Sequence, residues 1–188
     1  MSYIEKVLTF ENNKIYYYDE DWQEEKEVMM DWEDKLMSAS AAYVCSNGGD
    51  ILEVGFGMGI SARYIQSHNI NSHTIIENHP QILPKAKQWV KDKPNVTIVE
   101  GDWYKIKDTL SMYDGLFFDT YRDDNLEHFS SSLFPLVKKD GLITWWNGLN
   151  GEKNYFNIPN ITYQQFSVNP PQNSYFNYTT YYLPQCQL

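Results

Sequence analysis

Two acidic residues, far apart in the chain, have the residue type and setting of a site for a cation. Asp119 directly follows the run Tyr113-Asp114-Gly115-Leu116-Phe117-Phe118, which predicts a strand ending at a sheet edge. Glu33 lies on a predicted helix that could fold over that edge. Carboxylates can hold a cation and accept a proton, so both are candidate catalytic residues. The alternatives are a helix cap for Asp119 and a solvated position for Glu33.

A glycine-rich segment, Glu53-Val54-Gly55-Phe56-Gly57-Met58-Gly59, follows a predicted strand and opens a helix. Glycine allows the backbone to turn sharply and to approach a ligand closely. The NAD fingerprint Gly-x-Gly-x-x-Gly is not met, because Ile60 occupies its last position. The spacing fits S-adenosylmethionine better, and the candidate cofactor residues here are Glu53, Gly55, Gly57 and Gly59.

Polar residues also follow the next two predicted strands. Glu77 ends the first of them, 22 residues after Gly55, where a carboxylate can accept both ribose hydroxyl protons. Asp102 and Trp103 follow the second and would place an acceptor for an adenine amino group beside an aromatic ring. The alternatives are a cap for Glu77 and a turn with a core aromatic for Asp102 and Trp103. Because open α/β sheets bind ligands at strand ends, the three together favour a cofactor site.

The elements that would position these residues alternate between strands and helices. Helices are predicted to about residue 66, near 81–91 and near 125–137, and strands at 51–54, 73–77, 96–100, 115–119 and 141–146. This alternation predicts a parallel sheet wound by right-handed crossovers. In the tail, 161–168 and 178–183 can form two further strands.

The N-terminal part is predicted to form a lid. Residues 7–10 and 15–18 flank a short turn and predict a hairpin. Apolar residues at three- and four-residue steps then predict an amphipathic helix from about Val28 to Val44. We therefore divide one structural domain into a hairpin and lid helix at 1–44 and a core at 45–188.

Composition excludes several classes of protein. The 188 residues suit one globular domain, and 25 acidic against 15 basic residues give a net charge of -10, which disfavours nucleic acid as a partner. No apolar run approaches the ~20 residues of a membrane span, and the N-terminus lacks signal-peptide features, so we expect a cytoplasmic protein without a membrane partner. Cys45 and Cys186 are interpreted as buried reduced thiols, and no metal site is predicted. A monomer and a homodimer both remain open.

Much of the negative charge is local. Nine carboxylates lie between Asp19 and Asp34, against the single Lys26. This run is either a solvated acidic face or an acidic rim that attracts a cationic substrate.

The chain resembles the guanidino N-methyltransferases, a family that includes guanidinoacetate N-methyltransferase and the fungal protein-arginine delta-N-methyltransferases. The Met-Met-x-Trp-Glu and Asp-Thr-Tyr blocks are far more specific than the glycine-rich segment. The matching blocks span nearly the whole chain and are Val28-Met29-Met30-Asp31-Trp32-Glu33, residues 53–60, Ile75-Ile76-Glu77-Asn78-His79-Pro80, Phe118-Asp119-Thr120-Tyr121, Trp146-Asn147-Gly148-Leu149 and Tyr181-Tyr182-Leu183-Pro184.

The resemblance implies a Rossmann-like class I S-adenosylmethionine-dependent methyltransferase of the α/β class, with a seven-stranded, mostly parallel sheet and an N-terminal lid. It implies S-adenosyl-L-methionine as cofactor and S-adenosyl-L-homocysteine as product. In that family the acidic residues matching Glu33 and Asp119 grip the guanidino group. The residues matching Met37, Gly55, Glu77 and Trp103 lie in the cofactor pocket, and the substrate residues are placed at Tyr121, Asn147, Gly148 and Leu149.

The chemistry agrees with that implication. A guanidinium group has a pKa above ~12 and no free lone pair, so its nitrogen can attack a methyl group only as its proton leaves. Prior transfer of that proton to a carboxylate of pKa about 4 would cost roughly 12 kcal/mol. Two carboxylates that pair with the planar group can instead orient it and accept the proton during attack. We assign Asp119 as the proton acceptor and Glu33 as the second clamp.

The expected function is therefore N-methylation of a guanidino group in a guanidinoacetate-like molecule or in free or peptidyl arginine. Delta-N-methylation of a protein arginine and a non-catalytic, cofactor-binding partner subunit are the alternatives. Arg122 either binds a substrate carboxylate or is a surface residue.

Overall fold

The computed structural model describes residues 2–152, 156 and 158–188. Within these ranges the strands are β1 Thr9–Phe10, β2 Lys14–Asp19, β3 Glu24–Met30, β4 Asp50–Val54, β5 Ser72–Glu77, β6 Val96–Glu100, β7 Tyr113–Phe118, β8 Val137–Trp145, β9 Thr162–Ser167 and β10 Thr180–Gln187. The α-helices are α1 Asp34–Val44, α2 Ile60–Ile65, α3 Leu83–Trp89, α4 Trp103–Ile106 and α5 Phe129–Leu133.

Strands β4 to β10 form the main sheet, in the order β6-β5-β4-β7-β8-β10-β9 for the described part of the chain. Neighbouring strands are parallel from β6 to β8, whereas β10 is antiparallel to both of its neighbours. The predicted seven-stranded, mostly parallel sheet is confirmed. The tail strands lie at 162–167 and 180–187, close to the predicted positions.

The central strands are apolar because both faces of the sheet are covered. Ile51 and Leu52 in β4 and Leu116 and Phe117 in β7 are fully buried. Helix α1 packs on one face through side chains spaced about one turn apart, which include Leu36, Met37, Ala41 and Val44.

The order of the strands reverses between β4 and β7, so a crevice forms at their carboxyl ends. The register pairs Val54 with Phe118 and Glu77 with Glu100. The backbone N–H of Asp119 donates to the carbonyl of Val54 at 2.9 Å. As a result, the ends of β4, β5, β6 and β7 meet at one edge of the sheet.

Strands β1, β2 and β3 form a separate antiparallel sheet, the N-terminal sheet. The predicted hairpin between residues 7 and 18 is present as β1 and β2. The predicted helix from Val28 is wrong at its start, because 24–30 forms β3, residues 31–33 form a 3-10 turn, and α1 begins at Asp34. Pairing of Met29 with Ile15 across β2 and β3 buries both side chains, which outweighs the helical spacing.

The N-terminal sheet is tied to the core by direct hydrogen bonds. The Gln81 side chain accepts from the Leu8 N–H at 2.7 Å and donates to the Leu8 carbonyl at 3.2 Å. The division at residue 44 remains a proposal, since residues from both sides line one cavity.

No helix in the described ranges is long and apolar enough to cross a membrane. The predicted helix near 125–137 is reduced to α5, flanked by 3-10 turns at Leu126–His128 and Phe134–Leu136.

Candidate active site

A cavity of about 580 Å³ opens where the strand order reverses at the carboxyl edge of the main sheet. Its volume lies within the range of about 300–1,000 Å³ that is typical of small-molecule pockets. Of the residues predicted from the sequence, eight line this cavity: Glu33, Gly55, Gly57, Glu77, Asp102, Trp103, Asp119 and Tyr121.

Glu77 ends β5 with a carboxylate that is only 6% exposed. Its Oε1 accepts the backbone N–H groups of Asn78 and His79 at 2.8 and 2.7 Å, and its Oε2 accepts that of Phe56 at 3.0 Å. Burial raises the pKa of Glu77, and these N–H groups counteract the shift. The side chain thus caps a backbone turn, as the alternative proposed, and its contact with a ribose hydroxyl stays a prediction.

Gly55 and Gly57 allow two close approaches of the backbone. At Gly55, with φ +93°, a Cβ would lie 1.9 Å from the carbonyl oxygen of Asp119. At Gly57, with φ +52°, a Cβ would lie 2.5 Å from Sδ of Met29 in β3. Glycine is needed at both positions because of the left-handed φ and the lack of space. The close approach predicted at these two glycines is therefore to other parts of the protein, the Asp119 carbonyl after β7 and the Met29 side chain in β3.

Asp102 and Trp103 have structural contacts in addition to lining the cavity. Asp102 accepts the Tyr104 N–H at 3.0 Å and is the N-cap of α4. Trp103 is buried and donates through Nε1 to Oδ2 of Asp123 at 2.5 Å. The turn and core-aromatic alternatives describe these contacts correctly, and both residues still face the predicted cofactor region.

Glu33 and Asp119 lie in the same cavity, one from the turn before α1 and the other from the end of β7. Burial and the charge of Asp119 raise the pKa of Glu33 to about 8. Burial, with a smaller contribution from the charge of Glu53, raises the pKa of Asp119 to about 7. Neither carboxylate has an ion-pair partner among the described residues. A cation bound in this cavity would neutralise both carboxylates, and that role for the pair stays a prediction.

The structure distinguishes the alternatives for Glu33, a solvated position, and for Asp119, a helix cap. Glu33 is 3% exposed, so the solvated position is wrong for this residue. The residues that follow Asp119 form no helix before Leu126, and in the described part of the chain no backbone N–H donates to its carboxylate. Asp119 is consequently not a helix cap.

Three predicted cofactor residues do not line the cavity. Glu53 is fully buried, and its carboxylate accepts from the Ser61 hydroxyl and contacts Nε2 of His73 at 2.9 Å. Met37 is buried in the core, and Gly59 is the left-handed N-cap of α2 beside the Phe56 ring. Glu53, Met37 and Gly59 each contact other parts of the protein, so their assignment to the cofactor site stays a prediction.

The predicted substrate loop also lies outside the cavity lining. The Asn147 side chain donates to the Tyr182 carbonyl at 2.8 Å, and its backbone N–H donates to the Tyr181 hydroxyl at 2.9 Å. Gly148 and Leu149 are exposed beside it. Asn147 thereby fixes the loop to β10, while a contact of the loop with substrate stays a prediction.

Arg122 lies at the rim of the cavity with a side chain that is 48% exposed. Its Nη1 lies 3.7 Å from Oδ2 of the buried Asp19, and its guanidinium group lies 5.8 Å from the centroids of the Tyr17 and Tyr121 rings. These contacts link the N-terminal sheet to the segment after β7.

Several lining residues were absent from the predicted set. Trp146 and Tyr175 line the cavity together with the carboxylate pair, and Met29 and Tyr3 come from the N-terminal region. Trp146 belongs to a matched block, which could have identified it. Tyr175 lies in an Asn-, Gln- and Pro-rich stretch with no periodic signal, so the sequence offered no means of finding it.

The arrangement fits S-adenosylmethionine. Glu77 supplies a buried acceptor, and the backbone at Gly55 and Gly57 lines the same cavity. Asp102 and Trp103 lie at the end of the next strand. Each group lies at the carboxyl edge of the main sheet, where this fold binds nucleotides.

Comparison with known proteins gives a consistent result. The profile of a family described as guanidinoacetate N-methyltransferase matches residues 12–157. Protein arginine N-methyltransferase 2 of Yarrowia lipolytica is 32% identical over 192 residues, covering 90% of this chain and 39% of the relative. The protein of the same name from Saccharomyces cerevisiae is 32% identical over 200 residues, covering 84% of this chain and 47% of the relative. The chain thus spans less than half the length of these two curated relatives.

Solved structures share the fold at low sequence identity. N-methyltransferase NodS from Bradyrhizobium japonicum superposes with a TM-score of 0.64 at 14% identity, covering 83% of this chain and 96% of that one. Spermidine synthase from Thermotoga maritima superposes with a TM-score of 0.62 at 11% identity, covering 96% of this chain and 72% of that one. The fold is that of the class I S-adenosylmethionine-dependent methyltransferases.

Proposed function

This chain belongs to the guanidinoacetate N-methyltransferase family, and from that premise we propose that it methylates a nitrogen of a guanidino group. The acceptor would be a guanidinoacetate-like molecule or arginine, free or in a peptide. A protein arginine, methylated at the delta nitrogen, is the second candidate. It is favoured by the name protein arginine N-methyltransferase 2 of the similar curated proteins.

The observation that supports this proposal most strongly is the pair Glu33 and Asp119. Two carboxylates share one cavity without a basic partner in the described part of the chain, and burial opposes the ionisation of both. A guanidinium cation offers planar N–H donors that match two carboxylates, and it would neutralise their charge. The ring faces of Trp146 and Tyr175, which line the same cavity, would add a favourable surface for a cation.

The raised pKa of Asp119 also suits the removal of a proton. A guanidinium group of pKa about 13 would lose its proton to a carboxylate of pKa near 4 at a cost of about 12 kcal/mol, and the burial that raises the pKa of Asp119 reduces this cost. Full transfer before attack is still unfavourable. Asp119 would therefore accept the proton as the new N–C bond forms, while Glu33 keeps the group oriented.

S-adenosylmethionine would be held by Glu77, Asp102, Trp103 and the backbone around Gly55 and Gly57. When bound, it supplies an electrophilic methyl group on a sulfonium centre. Val28 and Met29 of the N-terminal sheet line the cavity from the other side and would limit access of water.

Methylation of a panel of acceptors tests the proposed function. The protein is incubated with labelled methyl donor and guanidinoacetate, arginine, agmatine or arginine-containing peptides. We expect one methyl group on a guanidino nitrogen of at least one acceptor, with fragmentation mass spectrometry distinguishing the delta position. If no acceptor gains a methyl group although S-adenosylhomocysteine binds, the protein is the non-catalytic partner subunit and the proposal is wrong.

Removing the Glu77 carboxylate should weaken cofactor binding. We expect Glu77→Ala to raise the dissociation constant of S-adenosylhomocysteine by about 10- to 100-fold, because a hydrogen bond to a charged group is lost. Isothermal titration calorimetry measures the change. Glu127→Ala, at an exposed position, is the control, and thermal unfolding checks that the Glu77 variant is folded. An unchanged affinity in the folded variant would refute the assignment.

A further inference from the structure

The two oxygens of the Glu33 carboxylate differ in their hydrogen bonds. Oε1 accepts the backbone N–H of Met30 at 3.0 Å and the hydroxyl of Tyr175 at 2.5 Å. Oε2 has no hydrogen-bond partner within the ranges that the structure describes. One oxygen is therefore fixed by the protein, and the other remains free to accept from a substrate.

The Tyr175 hydroxyl donates to Glu33 while it accepts from a third residue. Nε1 of Trp32 donates to the Tyr175 hydroxyl at 3.1 Å. An indole N–H can only donate, so the Tyr175 oxygen accepts in that bond, and its single proton is left for the bond to Oε1 of Glu33. The rings of Trp32 and Tyr175 are also stacked, with centroids 6.2 Å apart and an interplanar angle of 25°.

The position of Tyr175 is fixed independently of Glu33. The Asn173 side chain accepts the N–H groups of Tyr175 and Phe176 at 3.0 and 2.7 Å. Ser174 donates to Oε2 of Glu27 in β3 through its N–H at 2.9 Å and its hydroxyl at 2.7 Å. Residues 173–176, the C-terminal segment, are thereby attached to the N-terminal sheet close to Glu33.

We propose that Tyr175 is a positioning residue that directs Glu33 toward the guanidino substrate and favours its ionised form. This inference rests on the proposed function and adds a residue that lies outside every block of the family resemblance. A donated hydrogen bond stabilises a carboxylate more than a carboxylic acid. With Oε1 held by Tyr175 and Met30, Oε2 is left for the N–H groups of the cation.

The charges around Glu33 make the Tyr175 hydroxyl important for the ionisation of the Glu33 carboxylate. The ionisable groups that face it are Asp119 at the end of β7, Tyr175 in the C-terminal segment and Tyr181 in β10. Burial and Asp119 raise the pKa of Glu33, whereas the Tyr175 hydroxyl and the Met30 N–H lower it. Loss of the hydroxyl should therefore raise this pKa further.

The variant Tyr175→Phe tests the proposal. We expect KM for the guanidino acceptor to rise by about 10- to 100-fold near pH 7, with a smaller change in kcat. The rising limb of the kcat/KM profile should move to higher pH, because Glu33 must be ionised to bind the cation. Tyr178→Phe is the matched control, since this exposed tyrosine lies in the same loop and its hydroxyl makes no hydrogen bond within the described ranges. It should leave KM and the pH profile unchanged.

A second measurement does not depend on turnover. The pKa of Glu33 is followed by carbon NMR of labelled glutamate carboxyl groups in the protein with S-adenosylhomocysteine, and Glu33→Gln identifies the signal. We expect a higher pKa in Tyr175→Phe than in wild type. An unchanged pKa together with an unchanged kcat/KM profile would overturn the role of Tyr175. Failure of the wild-type protein to methylate any acceptor would instead reject the proposed function, whatever the NMR result.

Discussion

Replacing Asp119 with asparagine is expected to slow methyl transfer within a single turnover by about 10²- to 10⁴-fold, the usual contribution of a general base. Asparagine keeps the size of the side chain and can still accept a hydrogen bond, but it cannot take the proton that must leave the guanidinium group. Cofactor binding should survive, because Glu77 and the backbone around Gly55 and Gly57 make no hydrogen bond with the Asp119 carboxylate in the described part of the chain. Rapid-quench kinetics at saturating acceptor measures the rate, and calorimetry with S-adenosylhomocysteine measures the affinity.

The matched control for this experiment is Asp124→Asn. Asp124 also lines the cavity but is exposed at its rim, so its replacement removes the same charge without removing the proposed proton acceptor. We expect at most a small effect on the rate. A near-native single-turnover rate in Asp119→Asn would mean that the carboxylate has no part in the chemical step.

Glu33→Gln should weaken acceptor binding by about 10- to 100-fold and, in the absence of substrate, stabilise the protein at alkaline pH. The folded protein holds the proton of Glu33 more tightly than the unfolded chain does, because the pKa is raised from 4.5 to about 8. The destabilisation is absent below about pH 4.5, increases as the pH rises and is complete above about pH 8. Glutamine carries no charge, so the Glu33→Gln variant lacks this destabilisation.

Thermal unfolding at two pH values measures this effect. The Tm of Glu33→Gln should exceed that of wild type at pH 9 and match it near pH 4, and each kcal/mol corresponds to about 2–4 °C for a domain of this size. Glu20→Gln, an exposed position in the same acidic run, should change Tm little at either pH. If Glu33→Gln were less stable than wild type at pH 9, the carboxylate would stabilise the fold rather than serve the site.

The parallel arrangement of the strands and the edge that holds the site follow from local sequence. Parallel strands are joined by crossovers, so residues at their carboxyl ends must meet at one edge. For this reason Gly55, Glu77, Asp102 and Asp119 could be placed near one another before any contact was known. The apolar runs of β4 and β7 are long enough to be recognised without tertiary information.

Local patterns were insufficient where a segment depends on a distant partner. The 24–30 stretch is acidic and has helical spacing at its end, yet it forms β3 because β2 pairs with it and Ser174 binds Glu27. Glu53 follows the expected spacing, but His73 and Ser61 hold its carboxylate away from the cavity. In each case a long-range contact outweighs a local preference.

Glu33 illustrates the same division between sequence and structure. Its residue type and its block were sufficient to select it from nine neighbouring carboxylates as a candidate for holding a cation. Its burial, its raised pKa and its bond to Tyr175 arise only when the C-terminal segment folds against the N-terminal sheet. Hydrogen bonds between residues 142 positions apart leave no periodic trace in a single sequence, so only the tertiary structure could show which carboxylate is held for the substrate.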